Sequence, residues 1–389
     1  MATVIASKVY ISNEAFTNNK TITNVNFNNV EFVNNCADRA FVSCNNLTNV
    51  TNMNSNTDSM VSTYSSCYNL VATPDIPAGV SALENTFTFC PNLSTITLPN
   101  TVTRLNWTFE YCNSLTSTPV LPNSITNLRY AFYGCNNLTT ANNLPNSVES
   151  MYGTFCYCGK IHNVVIPNSV KDMECTFLQS GIDISPVIPN GVITMKQIFQ
   201  GCRNLTTTPT IPNSVVNLSE AFMLCYNITT TPDIPDSVTN MYDTFYSCNK
   251  ITRINKIGNS VEDLSRAFMS CPNLTYIPTL PSSLVNVSYA FYNCNKLSTY
   301  VPNLSHCPNL KDASYLYYNK KNTSFPVLPD SVEIMQGVYY YCNLMTETPT
   351  LPASTKNLMY TFYNCQKFNN TTNITFWCIR NVLYIWQLS

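Results

Sequence analysis

Leu205-Thr206-Thr207-Thr208-Pro209-Thr210-Ile211-Pro212-Asn213-Ser214-Val215-Val216-Asn217-Leu218-Ser219-Glu220-Ala221-Phe222-Met223-Leu224-Cys225 sets apolar landmarks in a fixed order: an aliphatic, an Ile-Pro step, a Val, a Leu, an aromatic and a Cys. The same order recurs along the chain. The aromatic returns as Phe41, Tyr64, Phe87, Phe109, Phe132, Phe155, Phe177, Phe199, Phe222, Phe245, Phe268, Phe291, Tyr315, Tyr339 and Phe362, at steps of 22, 23 or 24 residues, with Phe16 as an earlier, imperfect copy. Self-similarity at a period of about 20–50 residues marks a solenoid, which grows without dividing into globular domains.

Three residues after each aromatic runs a second ladder, Cys44, Cys67, Cys90, Cys112, Cys135, Cys158, Ser180, Cys202, Cys225, Cys248, Cys271, Cys294, Tyr318, Cys342 and Cys365. Three further on lies an aliphatic in most units, for example Leu138, Leu205 and Ile228. A single unit would leave these positions in water, whereas stacked copies bury them against each other. The step from the aliphatic to the Pro is six residues in Leu93–Pro99 and seven in Leu205–Pro212. The longer form often carries a second Pro (Pro119, Pro209, Pro232, Pro278, Pro349). Proline lacks a ladder donor, so a short strand is predicted to end or bulge there. Val238, Met241 and Phe245 fall at i, i+3 and i+7, which predicts a short helical turn on the convex side. Asn before the aliphatic (Asn137, Asn204, Asn227, Asn273) offers a side-chain amide to backbone groups of the turn. The fold expected is an α/β repeat solenoid: a right-handed superhelix with a parallel strand ladder and short convex helical turns. Residues 36–368 form about fifteen units, between an N-terminal cap at 1–35 and a C-terminal cap at 369–389 that shield the end layers from water.

The string from the aliphatic through Ile-Pro-x-x-Val-x-x-Leu to Ala-Phe-x-x-Cys, as in Leu205 to Cys225, resembles the BspA-like, or Treponema pallidum-type, leucine-rich repeat. The resemblance spans about residues 40–368 and is specific because it recurs in register. Two features depart from the family pattern. The usual Gly after the Leu position is mostly absent, with 9 Gly in all, and the extra Pro lengthens the strand region. The resemblance implies surface adhesion or ligand binding and brings no catalytic residues.

Composition narrows the function classes. Charged residues are 11% of the chain, well below the usual ~25%. The net charge is −1, with no long run of one sign, so the basic footprint that phosphate backbones demand is missing and no nucleic-acid partner is expected. Met1-Ala2-Thr3-Val4-Ile5-Ala6-Ser7-Lys8 has no basic start and long apolar run, so synthesis in the cytosol without a signal peptide is expected, with a virion or the cell surface as the place of action. The apolar stretch Phe376 to Trp386 is too short for a membrane span. In a reducing cytosol the ladder cysteines act as buried small hydrophobes. Only Cys156 and Cys158 lie close together and no Cys-x-x-Cys exists, so no zinc site, metal or cofactor is expected. His162 and His306 sit in different units, no triad can be placed, and no enzyme is expected.

Binding is the reading left. The Thr-rich strand face, with Thr206, Thr207, Thr208 and Thr229, Thr230, Thr231, is the candidate binding face for a protein or glycan ligand. Tyr130, Tyr133, Tyr152, Tyr242, Tyr246, Tyr289, Tyr292, Tyr340, Tyr360 and Tyr363 flank the buried aromatics. They either offer amphipathic contact area or cover the convex surface. Trp377 and Trp386 either complete the C-terminal cap or form a docking patch. The irregular unit at 299–325, with Lys311, Lys320 and Lys321, is a binding insert or tolerated drift. Three functions follow: a recognition or adhesion module, which includes host-cell recognition; a structural component of a bacteriophage or virus particle that contacts other virion proteins; and an intracellular scaffold.

Overall fold

The computed structural model describes residues 9–367 except 29, 54, 55, 142 and 348. Trp377, Trp386 and the C-terminal cap expected at 369–389 lie outside the described residues. The chain falls into two compact units, Met1–Val192 and Ile193–Ser389. Each unit is a stack of similar coils around a column of buried aromatic rings.

In the first unit the column runs Phe16, Phe41, Tyr64, Phe87, Phe109, Phe132, Phe155, Phe177, with centroids 5.2–6.0 Å apart and planes within 17°. The imperfect copy at Phe16 thus joins the stack. In the second unit Phe199, Phe222, Phe245, Phe268 and Phe291 stack at 5.2–5.9 Å, and Tyr317, Tyr339 and Phe362 continue the pattern at 5.5–5.7 Å. One aromatic per coil meets its own copy at a favourable stacking distance, which adds about 0.5–1.5 kcal/mol per pair beyond area burial.

Strand pairing is parallel throughout but sparse. β1 (Val9–Ile11) pairs with β3 (Val30–Phe32), β2 (Asn24–Asn26) with β4 (Asn49–Thr51), and β5 (Thr140–Ala141) with β6 (Asn163–Val164). Most other coils meet through single parallel bridges five residues before the aromatic. Ala82, Arg104, Asn127, Ser150 and Asp172 form one such line, and Thr194, Asn217, Asn240, Asp263, Asn286, Asp312, Ile334 and Asn357 another.

The short helical turns predicted from the Val–Met–Phe spacing are not α-helical. Among the described residues the only helical pieces are two 3-10 turns, Val33–Asn35 and Asn295–Leu297. The backbone around Phe132 explains why. The N–H groups of Leu128, Tyr130, Phe132 and Gly134 donate to the carbonyls of Ser150, Tyr152, Thr154 and Cys156 in the next coil, at 2.8–3.1 Å. Those of Ala131, Tyr133 and Cys135 donate three residues back, to Leu128, Tyr130 and Phe132, at 2.9–3.2 Å. Donors thus alternate between the neighbouring coil and the local turn. An α-helix would direct every N–H along its own axis and leave the neighbour's carbonyls unpaired. Alternation requires a left-handed residue two before and two after the aromatic: Tyr130 (φ 51°) and Gly134 (φ 67°) here, Glu220 (φ 58°) and Leu224 (φ 61°) around Phe222. Such φ values are uncommon outside Gly and Asn, and the packed coils on either side hold them in place.

The polar residues of the repeat serve the same contacts. Asn or Asp five before the aromatic accepts from the N–H two residues on, as in Asn217 from Ser219 and Asp263 from Ser265, both 2.8 Å, and so starts the turn. Ser of the Asn-Ser-Val or Asp-Ser-Val step donates to a Val carbonyl of the previous coil, Ser237 to Val215 at 2.7 Å and Ser169 to Val148 at 2.7 Å. Thr beside the aromatic does likewise, Thr154 to Leu128 and Thr244 to Leu218, both 2.9 Å. Asn137, Asn227 and Asn273 donate to coil carbonyls at 2.7–2.9 Å. The ladder cysteines are buried, and they are more than small hydrophobes. Their thiols donate to the carbonyl of the preceding coil's aromatic, as in Cys135 to Phe109, Cys158 to Phe132 and Cys225 to Phe199, all at 3.0 Å.

One assignment is corrected. The buried aromatic of the irregular unit is Tyr317, not Tyr315, and the residue in the thiol position is Lys320, not Tyr318. The steps here are 26 and 22 residues, which the sequence reading divided into two of 24. Lys320 is 2% exposed, its Nζ donates to the Leu297 carbonyl at 2.8 Å, and burial pulls its pKa down to about 8. Lys311 and Lys356 both pair with Glu333, at 3.3 and 2.6 Å, so the lysines of this segment bond within the stack.

Three stability results follow. Phe222→Ala should cost about 3–5 kcal/mol in denaturant unfolding, because it removes a ring stacked on both sides. Burial raises Cys90, Cys135 and Cys342 to about 12 from an ordinary value of 9.0, so their stabilising protonation is complete below pH 9 and lost as pH rises toward 12. Melting temperature should therefore fall steeply above pH 9. Lys320 has the opposite sign: its depressed pKa destabilises the fold below pH 8, and the effect fades as pH rises to about 10. Lys320→Met should raise stability by about 2 kcal/mol at neutral pH and by little near pH 10. A gain that does not vary with pH would refute this account of Lys320.

Candidate functional site

The Thr segments are only partly available. Thr206, Thr207, Thr229 and Thr230 are exposed and Thr208 is half-buried. Thr231 is 1% exposed, its Oγ1 accepts the Asn255 N–H at 3.0 Å, and its carbonyl accepts the Asn255 amide at 2.8 Å. Thr231 therefore joins coils and does not belong to a binding face.

The structure gathers the candidate tyrosines into three groups. In the first unit Tyr130, Tyr133 and Tyr152 meet Trp107, Tyr111 and Tyr157. Tyr130 stacks on Trp107 at 3.9 Å, and the Arg129 guanidinium lies 4.1 Å from the Tyr152 ring centre. In the second unit Tyr242 and Tyr246 flank Arg266, whose Nε is 3.1 Å from Asp243 Oδ1. Further along, Tyr289, Tyr292, Tyr340, Tyr360 and Tyr363 meet Tyr315, Tyr318 and Tyr341. Tyr292 and Tyr318 lie 4.1 Å apart, and Tyr340 and Tyr363 lie 4.7 Å apart. The sequence reading missed Trp107, Tyr111, Tyr157, Tyr315, Tyr318 and Tyr341. All but Tyr318 share a signal: they occupy the left-handed positions two before or two after the buried aromatic.

Glycine closes these outer ladders. Gly134, Gly153 and Gly337 follow Tyr111, Tyr130 and Tyr315 in the same register, and a Cβ on any of them would overlap the preceding ring. The ring lies flat over bare backbone of the next coil. Ring faces are therefore largely covered by neighbouring coils, and the surface presents ring edges and hydroxyls. Burial, reinforced by neighbouring phenols, pushes Tyr130, Tyr133 and Tyr289 upward and Tyr318 up to about 12. These hydroxyls stay protonated at neutral pH and can donate hydrogen bonds.

A third feature was not anticipated. In the first unit a groove of about 590 Å³ is lined by Thr140, Asn143, Asn146, Asn163, Val165 and Val187, among others. The coil Ile161–Pro167 has the six-residue step, and the coils before and after it, Leu138–Pro145 and Ile182–Pro189, have the seven-residue step. The groove is lined by residues of all three coils. The slot before Leu-Pro or Ile-Pro is Thr, Asp or Asn in most units, but it is Val at Val120, Val165, Val187 and Val327, which are 92%, 74%, 87% and 53% exposed. That substitution is visible in the sequence once the slot is known to face outward.

Neither histidine is arranged for chemistry. His162 is exposed, and the His306 ring nitrogen Nε2 lies 2.8 Å from the Leu280 carbonyl. Among the described residues no cluster of His, Cys, Asp and Glu could hold a metal, and no helix is long and apolar enough to cross a membrane.

Comparison with known proteins agrees with the repeat. No curated protein matches the chain. Among solved structures, a leucine-rich repeat protein from Bacteroides ovatus is 20% identical over 89% of this chain and 91% of its own, with a TM-score of 0.54. A leucine-rich cell surface protein from Faecalibacterium prausnitzii is 20% identical over 74% and 81%, with a TM-score of 0.36. The first likeness supports a leucine-rich-repeat solenoid fold. The family model for the BspA type leucine rich repeat region matches residues 3–116, 72–185 and 184–298. The chain belongs to the BspA-type leucine-rich repeat family.

Proposed function

We propose that this chain is a non-enzymatic recognition module that binds a protein or glycan through a solenoid face, with host-cell recognition as its setting. Repeat proteins of this family generally act as surface or protein-interaction modules. The observation that carries the reading is the division of labour among side chains. Thiols, serines and buried threonines bond coil to coil, whereas the outward side holds exposed Thr206, Thr207, Thr229 and Thr230 and the edges of tyrosine clusters. Such a surface is amphipathic and nearly uncharged. It offers contact area and hydroxyls at low entropic cost, as protein paratopes do.

The test begins with native purification and identification of what accompanies the chain, followed by affinity measurement on the purified pair. Thr230→Lys tests the Thr face, and Tyr360→Ser with Tyr363→Ser tests the aromatic face. Both Tyr positions are exposed, at 46% and 37%. The variant on the true face should lose at least ten-fold in affinity, about 1.4 kcal/mol, at unchanged melting temperature. Full affinity in both variants would remove these faces from the account. Recovery at fixed stoichiometry within a particle that fails to assemble without the chain would replace recognition with the structural role.

A further inference from the structure

We infer that the groove over the short coil Ile161–Pro167 is a binding site for a neutral oligosaccharide. The inference rests on the recognition reading and gives it a ligand class and an address. The groove is about 590 Å³, within the size range of small-molecule sites. Its lining holds no charged residue, which disfavours sialylated, sulfated or phosphorylated ligands. Asn143, Asn146, Asn163 and Asn168 line it, and all four are exposed.

Those amides occupy other repeat positions than the Asn residues that serve the stack. Asn137, Asn227 and Asn273 bond to coil carbonyls, and Asn255 is held by Thr231. No described residue hydrogen-bonds the carboxamide of Asn143, Asn146, Asn163 or Asn168. Each carboxamide supplies a donor and an acceptor side by side, which matches a row of vicinal hydroxyls that are themselves donors and acceptors. Val165 and Val187 stand beside the amides and offer apolar surface to the C–H face of a sugar ring. A site for a polar ligand is concave and partly apolar, with a few placed polar groups, and this groove has that composition.

A peptide fits less well. An extended peptide that adds as a strand needs an unpaired edge. The β5 strand here is paired on both sides, with β6 and, at Thr140, with Ser117. What the groove offers is side-chain amide chemistry.

The full-length chain is probed on an array of neutral hexose and N-acetylhexosamine oligosaccharides alongside sialylated and sulfated versions. Three proteins are compared: the wild type, Asn146→Ala with Asn163→Ala, and Val187→Asp. The altered side chains are exposed, and circular dichroism confirms that the fold is retained. Binding of neutral oligosaccharides by the wild type, weakened at least ten-fold in both variants, is the expected result. Equal binding by all three proteins would show that the groove is the wrong address while leaving recognition intact. Preference for the acidic oligosaccharides, or no binding on the array, would overturn the ligand class. In the latter case the affinity pair isolated by native purification decides separately whether recognition stands, and its loss in Val187→Asp would make the groove a protein site.

Discussion

Within each unit, coils are tied to the next by alternate backbone donors, and the rest of the structure depends on that division. A repeat of about two dozen residues must satisfy its own carbonyls and those of its neighbour with one N–H per residue. Sending Leu218, Glu220, Phe222 and Leu224 to the next coil and Ala221, Met223 and Cys225 to the local turn does both. The cost is a pair of left-handed residues per coil. The return is a tight segment in which Phe222 stacks on Phe245 at 5.2 Å and Cys225 reaches the Phe199 carbonyl. Side-chain identity follows from this geometry: a small or hydroxyl residue before the aromatic, a thiol three after it, and Asn or Asp at the start of the turn.

Function occupies what the stack does not use. The tyrosines at left-handed positions are pressed against the next coil, so their rings serve as lateral packing first and as surface second. Where Gly153 or Gly337 replaces a side chain, the ladder stops and the final ring lies over backbone. Three successive coils supply the lining of the groove, and Val165 and Val187 stand there in slots that are polar in most units.

Much of this was visible in the residues. The period, the aromatic column and the burial of the cysteine ladder follow from self-similarity, since only stacking hides so many apolar landmarks. The helical turn was misread because Val, Met and Phe at i, i+3 and i+7 are buried equally well by successive three-residue turns, and periodicity does not distinguish the two backbones. Tyr317 and Lys320 were missed because an insertion before Leu304 was averaged over two units, and a lysine in a thiol slot breaks the pattern that guides alignment. Thr231 looked identical to Thr208, since each precedes the extra Pro of a seven-residue step, and the bonds to Thr231 come from Asn255 in the next coil, outside the repeat that holds it. The groove was hidden for a further reason: its lining comes from three successive coils, which no single repeat contains.

Residue-resolved amide hydrogen exchange over Leu218–Cys225 tests the alternation most directly. The account predicts slow exchange at Leu218, Glu220, Phe222 and Leu224 as well as at Ala221, Met223 and Cys225, because the first set is bonded to the next coil and the second to the local turn. Protection confined to Ala221, Met223 and Cys225, with the other four amides exchanging freely, would show that the coils are held by side-chain packing alone and would contradict it.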